Sequence, residues 1–189
     1  MKKIILIGNG GHSSVLKDLL YKMENIDILG FVDRIKSSSK EYLGDESWLL
    51  KQDPKEISLV NAVGFIPPDS SRNKIFKKFS KIGFKFLTLV HPFTFISRNT
   101  YLEQGVQVMM ASSIQTFCRI GANTIINSRV SIDHHCTIGP NCHIAPGSVI
   151  CGEVTIGEGS FLGAGCIVEN GVRIDRKSVV KMGTIVKKN

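Results

Sequence analysis

Aliphatic residues recur at every sixth position throughout the second half of the chain. From Ile96 to Val186 in steps of six, all sixteen positions hold Ile, Leu or Val, and no insertion breaks the register. The fifth position of each hexad, from Thr100 to Thr184, holds only Thr, Val, Ser or Cys. Because residues two apart in a strand share a face, both rows point inward and the sixth position between them points outward.

This pattern predicts a parallel β-helix. One short strand and one turn every six residues make a triangular coil of 18 residues, so the fifteen full hexads predict about five coils. Positions two to four of each hexad must turn the chain. The second position is rich in residues that tolerate left-handed backbone, namely Gly121, Asn127, Asp133, Gly139, Gly157 and Gly163. The inward register also makes four cysteines core residues rather than nucleophiles or ligands: Cys118, Cys136, Cys142 and Cys166.

The first half alternates between strand and helix patterns. An apolar run at 3–7 leads through a glycine-rich loop at 8–13 into helical spacing, and later strands end at Asp33 and Gly64. A second helix is predicted at about 69–81. This order predicts a small α/β, Rossmann-like domain over 1–90, followed by the β-helix over 91–189. Ser13 replaces the third glycine of the dinucleotide-binding fingerprint, so the loop alone fits a tight turn equally well. Asp33 at a strand end favours a nucleotide, whose ribose it would bind.

Charge and composition limit the kinds of molecule that we expect the protein to bind. The chain has 24 basic and 16 acidic residues, spread over both halves, which suits a small phosphorylated ligand at least as well as nucleic acid. Aromatic and basic residues do not alternate as in proteins that bind single strands, so we expect no nucleic acid partner. No apolar run reaches the roughly 18 residues of a membrane span. We therefore expect a cytoplasmic protein with free thiols.

The motifs of both halves resemble one family. The aliphatic hexapeptide repeat resembles that of the hexapeptide-repeat acyltransferases, and Gly10-Gly11-His12 with Asp33 and Gly64 resembles the first domain of the sialic acid O-acetyltransferase and bacillosamine N-acetyltransferase family. The resemblance implies a left-handed β-helix and a homotrimer with acetyl-CoA between neighbouring subunits. It also implies that the first domain binds the acceptor, through Gly10, Gly11, His12, Asp33, Arg34 and Gly64.

His134 is the candidate general base. Acyl transfer needs a group that removes a proton from the attacking acceptor, and imidazole gains and loses protons near neutral pH. His134 and His135 occupy the third and fourth positions of a hexad, which is a corner. The family has a histidine, an acidic residue and a cysteine there, and His134 matches that histidine. His135 replaces the acidic residue, so either Asp133 supplies the carboxylate or the acidic partner is absent. We expect His135 to assist catalysis or to contact the substrate.

The resemblance also suggests cofactor contacts. His143 stands at an outward-facing sixth position and matches a family histidine that contacts acetyl-CoA. Gly152, Gly163 and Ala164 lie where the family backbone meets the pantetheine arm, although the corners of the repeat need small residues in any case.

The sequence therefore predicts an acetyl-CoA-dependent acetyltransferase that modifies the amine of a nucleotide-linked amino sugar and uses no metal. Transfer to a hydroxyl of sialic acid or of another sugar remains open. A metalloenzyme similar to γ-class carbonic anhydrase would need three zinc ligands, and His134, His135 and His143 are sufficient in number. A non-catalytic trimeric sugar-binding protein is the third alternative.

Overall fold

The computed structural model describes residues 1–188, which form two compact units. The first comprises residues 1–65 and 69–87, and the second comprises residues 66–68 and the chain from Thr88 onward.

The first unit is built on a five-stranded parallel sheet with strand order β3-β2-β1-β4-β5. Its strands are β1 (Lys2–Ile7), β2 (Ile26–Val32), β3 (Tyr42–Gly44), β4 (Ile57–Asn61) and β5 (Lys85–Phe86), and its helices are α1 (Gly11–Tyr21), α2 (Glu46–Leu49) and α3 (Ser71–Ile82). The α/β fold is as predicted. Sequence reasoning missed β3 and α2 because elements of three or four residues are too short to show a period.

The strand order makes a switch point between β1 and β4. Four consecutive residues of β1, Ile4 to Ile7, are buried, which is typical of a central parallel strand covered on both faces. Ile5 and Leu59 pack in one cluster with Phe79 of α3. In open α/β sheets, ligands bind beyond the carboxyl ends of the strands at such a switch point. The loops after β1 and β4 therefore mark the candidate binding edge of this unit.

The second unit is a left-handed parallel β-helix, as predicted. Seventeen two-residue strands form three parallel sheets of six, five and six strands. The strands are β6 (Leu89–Val90), β7 (Phe95–Ile96), β8 (Tyr101–Leu102), β9 (Gln107–Val108), β10 (Ser113–Ile114), β11 (Arg119–Ile120), β12 (Ile125–Ile126), β13 (Ser131–Ile132), β14 (Thr137–Ile138), β15 (His143–Ile144), β16 (Val149–Ile150), β17 (Thr155–Ile156), β18 (Phe161–Leu162), β19 (Ile167–Val168), β20 (Arg173–Ile174), β21 (Val179–Val180) and β22 (Ile185–Val186).

The β-helix is longer than the hexad count suggested. Its first side is β6, one hexad before Ile96, so seventeen sides make between five and six coils rather than five. Each residue pairs with the residue 18 positions away, as Ile132 does with Ile114 and Ile150. Both inward rows fill the core, and the four predicted cysteines are buried in it.

The prediction about left-handed residues was wrong. Positive φ angles occur at the fourth position of the hexads, as at Asn123 and His135, and not at the second. Glycine occupies the second position for a different reason. A Cβ atom on Gly121 would lie 2.4 Å from the backbone nitrogen of Pro140 in the next coil. Close stacking of backbones therefore requires glycine there, while the corner itself turns at position four.

Within residues 1–188, no helix has both the length and the apolar character needed to cross a membrane.

Candidate active site

His134 and His135 lie in the corner between β13 and β14. The backbone nitrogen of His135 donates to the carbonyl of Thr116 at 3.0 Å, and the nitrogen of Glu153 donates to the carbonyl of His134 at 2.9 Å. These bonds tie the corner to the coils before and after it. His135 has a φ of 59°, in the left-handed region. The corner therefore holds two adjacent histidines on a fixed backbone, with His134 partly buried and His135 exposed.

The two imidazole rings contact each other through Nδ1. The Nδ1 atoms are 3.0 Å apart, and the rings are nearly perpendicular. At this distance one Nδ1 atom must carry a proton and donate a hydrogen bond, and the other Nδ1 atom must accept that bond. When His134 is the donor, its Nε2 keeps the lone pair that a general base needs. His135 also stacks against Phe117 of the preceding coil, with ring centroids 5.1 Å apart.

Gly152 lies against the ring of His134. A Cβ atom on Gly152 would be 2.7 Å from Cε1 and 2.9 Å from Nε2 of that ring. The carbonyl of Gly152 accepts hydrogen bonds from the side-chain amide of Asn170 at 2.6 Å and from the nitrogen of Gly171 at 2.9 Å. A fixed peptide thus supports one side of His134, a contact that the predicted cofactor role of Gly152 did not include.

The remaining polar groups of this corner are engaged elsewhere. Asp133 Oδ1 accepts a hydrogen bond from the backbone nitrogen of His134 at 2.8 Å, so this oxygen orients the main chain and not the ring. The Cys136 thiol points inward and donates to the carbonyl of Cys151 at 3.1 Å. Its hydrogen bond with Cys118, together with burial, raises the pKa of Cys136 far above that of an ordinary thiol. Both observations argue against Cys136 as a nucleophile.

His143 is far less accessible than its outward position suggested. It is 9% exposed, because it lies in β15 between its ladder neighbours Ile125 and Phe161. Its Nε2 is 3.1 Å from the side-chain nitrogen of Asn127, and Phe161 packs edge-on against its ring. An amide nitrogen can only donate, so Nε2 accepts and Nδ1 carries the proton. In the single chain, His143 is therefore largely covered by its neighbours.

Gly163 and Ala164 lie at a different corner, between β18 and β19. A Cβ atom on Gly163 would come within 2.5 Å of the backbone nitrogen of Met182. Glycine is needed there for coil stacking, whatever else the corner does. Ala164 is exposed. Within one chain, Gly163 and Ala164 occupy a different corner of the prism from His134. His143 lies on the side opposite the His134 corner, because β15 belongs to a different sheet from β13 and β14.

The glycine loop of the first unit ends at the start of α1. Gly8 has a φ of 102° and donates from its nitrogen to the carbonyl of Val32 at 2.8 Å. Gly10 caps α1 without a side-chain hydrogen bond, and no acidic residue occupies the first turn. Uncapped amides at a helix N-terminus favour an anion such as phosphate. Gly11 is exposed and His12 is partly buried in this first turn.

Asp33 braces this loop. Its Oδ2 accepts a hydrogen bond from the nitrogen of Asn9 at 2.8 Å, and its Oδ1 accepts one from Ile35 at 3.0 Å. Arg34 is exposed beside it. Hydrogen bonds from Ser71 lower the pKa of Asp69, and the charge of Arg34 lowers it further. The structure thus brings Asp33 and Arg34 to the same edge as the glycine loop.

Gly64 completes this edge of the sheet. A Cβ atom on Gly64 would be 3.8 Å from Cβ of His12, so the loops after β1 and β4 are in contact. All six residues predicted to bind the acceptor, which are Gly10, Gly11, His12, Asp33, Arg34 and Gly64, follow the carboxyl ends of β1, β2 and β4.

Comparisons with known proteins agree with both units. Residues 3–79 match the PglD N-terminal domain, residues 117–152 match the bacterial transferase hexapeptide (six repeats), and residues 153–188 match the hexapeptide repeat of succinyl-transferase. Perosamine N-acetyltransferase from Caulobacter crescentus, solved in complex with CoA and GDP-perosamine, is 30% identical with a TM-score of 0.92, and the match covers 100% of this chain and 90% of that one. The chain belongs to this family of hexapeptide-repeat sugar acetyltransferases.

Two further relatives of the family are similar. The acetyltransferase domain of PglB from Neisseria gonorrhoeae is 26% identical with a TM-score of 0.88, over 100% of this chain and 93% of that one. UDP-N-acetylbacillosamine N-acetyltransferase of Bacillus subtilis is 26% identical over 116 residues, which are 58% of this chain. The match spans 52% of that curated relative, about half of its length.

Sequence reasoning missed how residues of other coils support the two histidines: Phe117 packs on the ring of His135, Gly152 lies against the ring of His134, and Asn170 holds the carbonyl of Gly152. Phe117 lies 18 residues before His135, and Gly152 and Asn170 lie 18 and 36 residues after His134. The 18-residue spacing was the signal that could have found them. Within residues 1–188, no three His, Cys, Asp or Glu side chains are grouped as ligands for a metal ion.

Proposed function

We propose that this protein transfers the acetyl group of acetyl-CoA to the amine of a nucleotide-linked amino sugar, with His134 as the general base. The observation that carries the proposal is the 3.0 Å contact between the Nδ1 atoms of His134 and His135. It gives His134 the hydrogen-bond acceptor that the family's acidic residue would supply, and it leaves Nε2 of His134 as the basic atom.

The reaction needs no covalent intermediate. The acceptor amine attacks the thioester carbonyl, the carbon–sulfur bond breaks, and CoA leaves as a thiol. His134 Nε2 takes the proton that the amine loses as the new carbon–nitrogen bond forms, and it passes this proton to the sulfur of CoA as the thiol leaves. His135 fixes the ring and tautomer of His134, as an acidic partner does for a histidine base elsewhere. Its stacking on Phe117 and the support from Gly152 keep both rings in place.

The glycine loop is the proposed acceptor site. The uncapped N-terminus of α1 suits the diphosphate of a nucleotide sugar, and it lies at the β1/β4 switch point. The C. crescentus relative was solved with GDP-perosamine, and the B. subtilis relative is named for UDP-N-acetylbacillosamine, so the proposed acceptor carries GDP or UDP. Asp33 contributes by bracing the loop through Asn9 and Ile35, in addition to any contact with ribose.

We further propose a homotrimer that binds acetyl-CoA between subunits. His143, Gly163 and Ala164 of one subunit would meet His134 of its neighbour, because within one chain His143 lies on the side opposite His134 and the two small residues lie at another corner. The sheet that contains β13 supports such packing, since its outward row includes the exposed apolar residues Val149, Ile167 and Ile185. Five free cysteines fit a reducing compartment, which we propose is the cytoplasm.

The proposal is tested with acetyl-CoA and a panel of acceptors. GDP-perosamine and UDP-N-acetylbacillosamine carry free amines, and sialic acid offers only hydroxyls because its nitrogen is already acylated. We expect CoA release with at least one amino sugar, a product 42 Da heavier, and a loss of kcat/KM of about 1,000-fold in His134→Ala. Turnover with sialic acid alone would mean O-acetylation, and full activity of His134→Ala would contradict the base assignment.

A further inference from the structure

Strand β4 continues beyond the end of its neighbour β5. Pairing with β5 involves only Ser58 and Leu59, and the last hydrogen bond on that side runs from the nitrogen of Leu87 to the carbonyl of Leu59 at 2.8 Å. Alternate residues of an extended chain face the same side. The carbonyls of Asn61 and Val63 therefore also face this side, beyond the part of β4 that pairs with β5.

Arg72 takes the place of a continued β5. Its Nη1 donates to the carbonyl of Asn61 at 2.8 Å and to the carbonyl of Val63 at 2.7 Å. In return, the side-chain amide of Asn61 donates to the carbonyl of Arg72 at 2.9 Å. Arg72 is in the first turn of α3 and is only 1% exposed. Burial lowers the pKa of Arg72 to about 9, which still leaves the guanidinium charged at neutral pH.

The segment that Arg72 holds forms one wall of the glycine loop. On its other side, the nitrogen of Ala62 donates to the carbonyl of Ile7 at 2.9 Å. A Cβ atom on Gly8 would lie 3.0 Å from Cγ2 of Val63, and Gly64 is adjacent to His12. Residues 62–64 thus touch both ends of the loop, and a shift of their backbone would move the amides at the start of α1.

We infer that Arg72 is a positioning residue for the acceptor: its guanidinium extends β4 past the sheet and so fixes Val63 and Gly64 against the glycine loop. The inference rests on the proposed acceptor role of that loop. Arg72 itself need not touch the substrate. Its effect should appear in acceptor binding and leave the chemistry at His134 unchanged.

The test compares Arg72→Met with Lys74→Met. Methionine keeps much of the arginine side-chain volume but donates no hydrogen bonds. Lys74 is an exposed cation in the same helix, so Lys74→Met removes the same charge without removing a buried contact. The acceptor is whichever of GDP-perosamine and UDP-N-acetylbacillosamine the wild-type protein uses. We expect the acceptor KM of Arg72→Met to rise about tenfold or more, with kcat and the acetyl-CoA KM within about twofold of wild type. Lys74→Met should match the wild type, and Arg72→Lys should recover part of the loss.

A wild-type acceptor KM in Arg72→Met would overturn the inference, and so would an equal rise in both KM values, which indicates general damage. If Arg72→Met does not fold, Val63→Gly loosens the same segment through a residue that is only partly buried. Val63→Gly should show the same selective rise in acceptor KM, and its absence would overturn the inference. A wild-type protein that acetylates neither nucleotide sugar would contradict the proposed function instead.

Discussion

At the scale of the residue, two adjacent histidines stand where the family resemblance implies a histidine followed by an acidic residue. The hexad register places His134 on a corner from the sequence alone, since it counts backbone positions. It could not reveal the contact between Nδ1 atoms, because that depends on the rotation of both rings. Asp133 was an equally good candidate partner in sequence, yet its carboxylate accepts a hydrogen bond from the main chain. Adjacency in sequence therefore did not identify the group that contacts the ring of the candidate base.

His135 can be replaced by residues that the same hexad position already accepts. Position four holds Phe117 and Glu153, both with positive φ like His135, so neither replacement should strain the corner. We expect His135→Glu to keep kcat/KM within about fivefold of wild type, because a carboxylate can accept from Nδ1 of His134. His135→Phe keeps an aromatic ring against Phe117 but has no acceptor. We expect its kcat/KM to fall about 100-fold.

Steady-state kinetics with thermal denaturation as the control separates these outcomes. Both variants should keep the melting temperature of the wild type. Equal activity of His135→Phe and the wild type would mean that His134 needs no partner at Nδ1. A loss in His135→Glu as large as that in His135→Phe would mean that the second imidazole does more than accept a hydrogen bond.

At the scale of the element, the coil explains which features the repeat could predict. Inward rows follow from a period of six and from the alternation of strands, so the core was predictable from sequence. The turn was not, because glycine serves two purposes that look alike in sequence. At Gly121 it lets coils stack, whereas at Gly147 it takes the left-handed turn of the fourth position, which Asn123 and His135 make in other hexads. In the first unit, likewise, Asp33 was recognised by its place after a strand, but its bracing of Asn9 depends on the path of the loop.

Replacing two glycines by alanine should distinguish a glycine that supports the candidate catalytic ring from a glycine that lets the coils stack. In Gly152→Ala, the new Cβ collides with the outer end of the partly buried His134 side chain, which can swing away. We expect kcat/KM to fall about 100-fold with less than about 1 kcal/mol lost in the free energy of unfolding. In Gly121→Ala, the collision is with the backbone of Pro140, which cannot move freely. We expect a loss of about 2 kcal/mol in stability with nearly normal kcat/KM at low temperature.

Denaturant unfolding and initial rates on the two variants check this contrast. If Gly152→Ala lost stability and activity together, Gly152 would be a stacking glycine like Gly121. If it raised only the acetyl-CoA KM, the cofactor contact implied by the family resemblance would be its main role.

At the scale of the whole molecule, His134 and His143 lie apart in the single chain, although the proposed reaction needs both at one site. His134 is on the corner after β13, and His143 lies in β15 on another sheet. His143 is covered by Ile125 and Phe161, so a ligand would reach the edge of its ring rather than its face. A cyclic trimer brings a corner of one subunit beside a face of the next. The proposed catalytic site therefore belongs to a pair of subunits.

Mixed trimers test this arrangement. His134→Ala and His143→Ala should each be nearly inactive alone, because every interface of either trimer lacks one of the two histidines. When the two variants are unfolded, mixed in equal amounts and refolded, an interface is intact if the His143→Ala subunit supplies His134 and the other subunit supplies His143. Random assembly makes that arrangement at about one interface in four, so we expect about a quarter of wild-type activity. Each variant refolded alone is the control. If each variant is inactive alone and the mixture is equally inactive, both histidines must act within one subunit. If His143→Ala is active by itself, His143 has no part in the reaction.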